Sequence, residues 1–331
     1  MSASNKDLPM TSPISPVLAI HGGAGTIPRS TLTPERADAY HAGLCRALAA
    51  GHAVLARGGA ALDAVTEAVM ALEEDPLFNA GRGAVYTAEG RHEMDAALMD
   101  GRDRRAGAIA GICGPRHPIL AARAVMEQTD HVFLAGEGAA AFCREAGLEH
   151  VDPEWFGTPA RRAALDAELA RRRAGAADDG DDSRKHGTVG AVALDARGDL
   201  AAATSTGGMT AKRPGRVGDS PVIGAGTWAD NATCALSGTG HGEYFIRYAV
   251  GHEIDARMRW AGQTLAEAAG AVVTLLGPLG GSGGVIAVDG QGNVALPFNC
   301  SGMYRGLVRV GDDRFLTAIH DEDFRATATA L

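Results

Sequence analysis

Aromatic residues are scarce in this sequence: eight Phe, five Tyr and three Trp make up 5% of 331 residues. Basic residues are outnumbered as well, with 31 Lys and Arg against 40 Asp and Glu and a formal net charge of −9. A nucleic-acid surface needs a basic stripe to neutralise phosphates, and this balance argues against one. No uninterrupted apolar run approaches the roughly 20 residues of a membrane helix. The polar, proline-dotted start, Met1 to Pro16, has no basic end leading into an apolar stretch, so no signal peptide is expected. The five cysteines (Cys45, Cys113, Cys143, Cys234 and Cys300) are odd in number and widely spaced. They suggest neither a disulfide framework nor a CxxC metal knuckle, and a reduced, cytoplasmic chain is expected. There is no G-x-x-x-x-G-K-[ST] phosphate loop, and His252-Glu253 lacks the second histidine of H-E-x-x-H.

Small residues are plentiful instead, glycine alone numbering 45. Ser15 to Ile20 reads as a strand that ends in a glycine turn, His21 to Gly25. Helices are expected from Pro34 to about Arg57, and after Gly58-Gly59, where Leu62, Val65, Val69 and Leu72 recur at helical spacing. The second stops near Asp75-Pro76. Strand-like segments follow at Ala84 to Thr87, Asp95 to Met99 and Ala106 to Ile112. Helical patterns cover 118–128, 136–146 and 158–173. The composition then shifts abruptly. The stretch 172–187, crowded with Asp178, Asp179, Asp181 and Asp182, has almost nothing apolar to bury and is expected to be a mobile linker.

Two hairpins share one grammar. Thr188 to Asp195 turns through Asp195-Ala196-Arg197-Gly198 into Asp199 to Thr204. Gly284 to Asp289 turns through Asp289-Gly290-Gln291-Gly292 into Asn293 to Ala295. Helical patterns at 242–258 and 263–276 lie between them. Periodicity alone supports a mixed α and β chain with helices covering sheets.

Two short signatures fail on context. Gly280 to Gly284 fits G-x-S-x-G around Ser282, but a helix precedes and a strand follows, the reverse of a nucleophile elbow. Gly224 to Ala229 fits G-x-G-x-x-A, but no long helix opens there.

Thr188 is the residue at an unusual place. It stands between the acidic linker and a buried-looking strand, with Gly187 before it. An internal threonine lacks a base, whereas one at a chain N-terminus carries its own α-amine to take the hydroxyl proton. Glycine at 187 tolerates the backbone geometry that cleavage before Thr188 would need. Downstream, Arg216 and Asp219 form an opposite-sign pair in a glycine-hinged loop, able to hold the carboxylate and ammonium of a zwitterion. Thr239 and the Gly240 N–H, at an expected helix start, could form an oxyanion hole.

Taken together, GTVGAVALD, ATSTGGMT, PGRVGDSPVIGAG and SGTGHGE, with LAIHGGAG near the start and LFNAGRGAV in between, resemble the plant-type L-asparaginase / isoaspartyl peptidase family of N-terminal-nucleophile hydrolases. The matching motifs run in order from about Leu18 to Tyr304. The resemblance implies a four-layer αββα sandwich in one folded domain. It implies a precursor that cuts itself between Gly187 and Thr188 into an α chain (1–187) and a β chain (188–331), paired as (αβ)2. By that resemblance Thr188 is the nucleophile and Thr206 the second threonine bonded to it. Arg216 and Asp219 are substrate anchors, Thr239 and Gly240 the oxyanion hole, and Gly242 and Asn79 border the substrate. The loop from Leu72 to Arg82 resembles a sodium loop with main-chain ligands at Leu72, Glu73, Asp75, Phe78, Ala80 and Arg82. No cofactor is expected for catalysis, and no nucleic-acid or membrane partner. The implied reaction is hydrolysis of β-aspartyl dipeptides and L-asparagine to release L-aspartate. A glycosylasparaginase-like hydrolase is the nearer alternative, although that branch typically carries aspartate where Gly187 stands. A processing-dead binding homologue and a nucleotide enzyme using the glycine loops are the more distant ones.

Overall fold

Strands buried on both faces carry apolar residues almost without interruption, and the central strands here do so. The computed structural model describes residues 15–30, 32–175, 187–321 and 324–329. Its first half runs β1 (Val17–Gly25), α1 (Pro34–Ala56), α2 (Ala61–Glu74), β2 (Met94–Asp100), β3 (Ala106–Ile112), α3 (Pro118–Gln128), β4 (Phe133–Ala135), α4 (Gly136–Glu145), α5 (Pro153–Phe156) and α6 (Pro159–Arg173). The second half opens with β5 (Val189–Leu194), β6 (Leu200–Thr206), β7 (Thr227–Ala229) and β8 (Cys234–Gly240). It continues with α7 (Gly242–Arg247), α8 (Val250–Ala261), α9 (Leu265–Leu276), β9 (Gly283–Asp289), β10 (Val294–Ala295), β11 (Gly302–Arg309), β12 (Arg314–Ala318) and β13 (Arg325–Ala328).

One sheet has the order β13-β12-β11-β1-β5-β6-β2-β3-β4, and the other β10-β9-β8-β7. Alternate residues of each central strand point opposite ways. Leu18, Ile20, Ala191, Ala193, Ala201 and Ala203 pack with Leu44, Leu48, Val65 and Val69 of α1 and α2. Val17, Ala19, Val192, Leu194, Leu200 and Ala202 pack with Leu236, Ile286 and Val288 of the second sheet, and Val272 and Leu276 of α9 lie in the same core. The result is helix, sheet, sheet, helix: the expected four-layer αββα sandwich. Five alanines and one glycine on β5 and β6 leave mostly short side chains between the layers.

Both expected hairpins form, and their shared grammar has one cause. Asp195 Oδ1 accepts the N–H groups of Arg197 and Asp199 at 2.8 and 3.2 Å, and Asp289 Oδ1 those of Gln291 and Asn293 at 2.9 Å each. The glycine three residues after each aspartate is left-handed, with φ +85° at Gly198 and +78° at Gly292.

Elsewhere the chain departs from the sequence reading. The glycines after Ile20 do not turn. β1 continues through them to Gly25, with an irregularity between His21 and Gly23. They are there for close approach: a Cβ at Gly22 would lie 2.3 Å from Phe78 Cε1, and one at Gly23 2.7 Å from Gly187 Cα. Ala84 to Thr87 forms only a single bridge, Thr87 to Lys212. The helix read at 242–258 breaks at Tyr248 and Ala249, where Ala249 has φ +45°. Thr239 and Gly240, read as lying at a helix start, belong to the end of strand β8. Of the linker expected to be mobile, α6 takes in positions 172 and 173, and 176–186 lie outside the described residues.

Phe78 ties this frame to the loop after α2. Its ring is 1% exposed, fills the space over Gly22 of β1 and Gly43 of α1, and meets Tyr40 edge-on at 5.8 Å. Phe78→Ala should lower unfolding free energy by about 3–5 kcal/mol, the cost of a large buried ring and its cavity. Urea denaturation measures this, and an unchanged midpoint would contradict the packing role.

Candidate functional site

Thr188 directly precedes β5, the middle strand of the large sheet, and is buried. The β5–β6 register pairs Val189 with Ser205, which brings Thr188 beside Thr206 at the end of β6. Thr188 Oγ1 donates to Thr206 Oγ1 at 3.1 Å, and Thr206 Oγ1 also accepts the Gly208 N–H at 3.0 Å. Asn79 braces this corner. Its Nδ2 donates to Gly208 O at 2.7 Å and its Oδ1 accepts the Val85 N–H at 2.9 Å. Its backbone N–H donates to Gly187 O at 3.3 Å. Gly187 needs to be glycine for space, because a Cβ there would stand 2.7 Å from Asn79 Cβ.

A buried histidine holds the other end of Thr188. His21 Nδ1 lies 3.0 Å from Thr188 O, and since a carbonyl only accepts, Nδ1 carries the proton. Nε2 then accepts from Ser237 Oγ at 2.8 Å. Ser237 accepts from Thr204 and Thr204 from Thr227, each at 2.7 Å. Burial pushes the His21 pKa down to about 3, against the smaller opposing pull of the Thr188 carbonyl, so the ring is neutral at ordinary pH. A Cβ at Gly190 would come within 2.0 Å of Ser237 Oγ and 2.5 Å of His21 Nε2, so only glycine leaves this chain of hydroxyls intact.

Thr239 Oγ1 accepts the Ala24 N–H at 3.1 Å, which leaves its own hydrogen to donate. Gly240 closes β8. His241 N–H goes to Ser282 O on the β9 side, and Gly238 N–H goes to Gly226 O on the β7 side. Amides alternate along a strand, so Gly240 N–H also faces the β7 side, past that strand's end. Its donor is exposed to the pocket by a sheet edge, not by the helix start read from the sequence.

That pocket is lined by Thr188, Thr206, Gly208, Met209, Arg216, Gly218, Asp219, Ser220 and Gly240. Arg216 and Asp219, the expected zwitterion anchors, both line it and are not hydrogen-bonded to each other. Arg216 Nε and Nη2 donate to Glu243 Oε1 and Oε2 at 3.0 and 2.9 Å. Asp219 is buried with Oδ2 unbonded, and burial, opposed by Arg216, pushes its pKa up to about 7. Gly242 sits between the two. A Cβ there would lie 2.8 Å from Asp219 Oδ1 and 3.1 Å from Arg216 Nη2.

The loop after α2 gathers main-chain oxygens. A Cβ at Gly81 would be 2.6 Å from Glu73 O, and one at Gly83 2.6 and 2.5 Å from Pro76 O and Phe78 O. Crowded carbonyls suit a hard cation. Among the described residues no cluster of His, Cys, Asp and Glu could hold a metal. The buried Glu73 carboxylate, raised by burial, ties α2 to the site's strand through Ser205 Oγ at 2.6 Å and to α3 through Ile119 N at 3.0 Å. Ser282, ahead of β9, does not line this pocket; its backbone carbonyl accepts the His241 N–H beside Gly240.

Of the expected site residues, Thr188, Thr206, Arg216, Asp219 and Gly240 line one pocket, with Gly242 between the two charges and Asn79 and Thr239 directly behind. His21, Ser237 and Glu243 were not singled out in the sequence. Each lies inside a quoted motif, but an isolated His, Ser or Glu carries no spacing signal of its own.

An αββα sandwich with a threonine heading a central strand is the architecture of an N-terminal-nucleophile hydrolase. The pattern of the asparaginase family matches residues 14–316, and the chain belongs to that family. It is 54% identical over 303 residues to the isoaspartyl peptidase of Salmonella typhimurium, covering 89% of this chain and 96% of that one. It is 52% identical over 320 residues to the isoaspartyl peptidase of Escherichia coli, covering 95% and 98%. It is 44% identical over 234 residues to the Homo sapiens isoaspartyl peptidase/L-asparaginase, covering 71% and 74%.

A carboxyl whose folded pKa is raised loses stability as pH climbs. Below about pH 4 Asp219 is neutral in both states; between there and about 7 only the unfolded chain ionises; above 7 the deficit is constant. Asp219→Asn should therefore be more stable than wild type at pH 8, by up to about 4 kcal/mol, with the gain gone by about pH 4. Urea midpoints across that range test it, and a gain independent of pH would refute the assignment.

Proposed function

We propose that this chain hydrolyses the β-aspartyl amide bond of isoaspartyl dipeptides and of L-asparagine, after cutting itself before Thr188. The observation that carries the reading is the Thr188 hydroxyl, bonded to Thr206 in a pocket that also presents Arg216, Asp219 and Gly240. The relatives' names point the same way.

Cleavage between Gly187 and Thr188 turns the Thr188 nitrogen into an α-amine. That amine takes the hydroxyl proton as Thr188 Oγ attacks the substrate's side-chain carbonyl carbon. Thr239 Oγ–H and Gly240 N–H receive the oxyanion, an effect worth roughly 3–4 kcal/mol per donor in comparable holes. The C–N bond breaks, and the amine or ammonia leaves with the proton. Water then attacks the acyl-threonine ester, and L-aspartate and the free hydroxyl are restored. Arg216 takes the substrate α-carboxylate and Asp219 the α-ammonium, beside Gly242. These anchors grip only the aspartyl half, so the leaving amine can carry hydrogen or a following residue.

The α chain (1–187) and β chain (188–331) stay together and pair as (αβ)2. A sodium ion, held by the carbonyls of Leu72, Glu73, Asp75, Phe78, Ala80 and Arg82, would stiffen the loop that carries Asn79. The odd number and wide spacing of the five cysteines support a reducing compartment such as the cytoplasm. No helix among the described residues is long and apolar enough to cross a membrane.

A denaturing gel of the purified protein should show two bands without added protease, the smaller beginning TVGAV. Thr188→Ala should give one band and no hydrolysis, because both steps use one hydroxyl. An active, intact chain would overturn the mechanism, and so would Thr188→Ala with a tenth of wild-type activity.

Arg216→Ala should lower kcat/KM at least about 30-fold, from a substrate carboxylate left unpaired in a desolvated pocket. Asp219 binds an ammonium only when ionised, so KM for L-asparagine should rise as pH falls below about 7. A KM flat from pH 8 to 5.5 would exclude Asp219 from that role.

A further inference from the structure

Two opposite charges line one small pocket and do not meet. Arg216 and Asp219 lie on either side of Gly242, close enough that one Cβ there would touch both. In a buried setting such groups ordinarily close on each other, because each offsets the other's desolvation. Asp219 Oδ2 nevertheless has no partner. Glu243 stands beside them, in the first turn of α7. Its carboxylate receives the Nε–Nη2 edge of Arg216 as a fork, at 3.0 and 2.9 Å. This carboxylate is about half exposed and remains partly hydrated, whereas Asp219 is fully buried. The Nη1 side of the guanidinium lies against Gly218, where a Cβ would come within 2.9 Å, so the missing side chain leaves room on the pocket side.

We propose that Glu243 is a positioning residue: by occupying one edge of Arg216 it keeps the guanidinium from neutralising Asp219, so that an amino-acid zwitterion finds both anchors available. The proposal rests on the anchor roles given above to Arg216 and Asp219. Without Glu243, the guanidinium is free to turn about its long stem onto Asp219. Substrate would then have to break that internal pair before binding. The cost falls on binding, not on the chemical step at Thr188, and not on self-cleavage, which involves no free amino acid.

The electrostatic consequence is specific. Asp219 is faced by Arg216, Glu243 and Asp95, and Glu243 in turn by Arg216 and by His241, whose Nε2 is 3.6 Å away. Removing Glu243 takes a negative charge from beside Asp219 and delivers a positive one to it. Both changes favour the ionised form, so the acid limb of KM should move to lower pH.

Glu243→Ala and Glu243→Gln would be compared with wild type, Arg216→Ala and Asp219→Ala, using L-asparagine and a β-aspartyl dipeptide from pH 5 to 9. The expected result for Glu243→Ala is a KM raised about tenfold or more on both substrates, kcat within about threefold, and two chains released at the wild-type rate. Its acid limb should shift down by about one pH unit. Glu243→Gln keeps one acceptor for Arg216 and should recover part of the KM loss. If the alanine variant does not fold, the glutamine variant decides by the same two readouts. A KM within twofold of wild type, or a raised KM with an unmoved acid limb, overturns the proposal while Arg216→Ala and Asp219→Ala still raise KM. If those two variants also leave KM unchanged, the anchor roles fall, and this inference with them.

Discussion

A hydroxyl at the head of a central strand can be aimed only if the strands beside it are fixed. The contact between Thr188 and Thr206 is set by the β5–β6 register, and a one-residue slip would turn Thr206 to the opposite face. Register in turn is held from both sides. Ala191 and Ala203 face the helices and Val192 and Ala202 the second sheet, so no slipped pairing keeps both cores filled. The Asp195 turn, closed by its own carboxylate, pins the far end of the hairpin. The two-sheet sandwich is therefore the device that places one oxygen.

The site pays for this placement in buried polar groups. His21 is held neutral, Glu73 and Asp219 are pushed toward their neutral forms, and Asp95 is buried with one oxygen unbonded. Glu73 is satisfied by Ser205 and Ile119, and His21 by Thr188 and Ser237. Where the pocket opens, Asp219 and Ser220 keep atoms without partners. Unmet hydrogen-bonding capacity on a pocket wall suits a surface that takes a polar ligand.

Much of this was legible in the chain. The two D-x-x-G turns, the helices α1, α2 and α3 and the odd position of Thr188 follow from spacing and turn chemistry. What was not legible depends on partners distant in sequence. The glycines of β1 read as a turn because their real cause, Phe78 and Gly187 lying against the backbone, is invisible locally. β8 was hidden because Ser237-Gly238-Thr239-Gly240 has the composition of a loop and becomes a strand only between β7 and β9. Arg216 and Asp219 look like a pair at three residues' separation, and only the fold shows that Glu243, 27 residues further on, has taken the arginine. The layer count came from family resemblance, since periodicity reports which faces are apolar but not how many layers meet.

In the proposed mechanism, self-cleavage and substrate hydrolysis ask one hydroxyl to serve two carbonyls. The carbonyl of Gly187 rests on the Asn79 N–H, whereas Gly240 N–H on the pocket wall and Thr239 Oγ–H behind it are, in that mechanism, the donors to a second acyl group. Asn79 also fixes the turn through Gly207 and Gly208, whose N–H holds the Thr206 oxygen. The loop from Phe78 to Val85 thus bears on Thr188 through Thr206 and on the preceding peptide through Gly187, while β8 bears on the pocket. Separate supports for the two carbonyls mean that neither has to be displaced to make room for the other. In the proposed mechanism a single arrangement of Thr188 and Thr206 then serves both before and after cleavage at Gly187–Thr188.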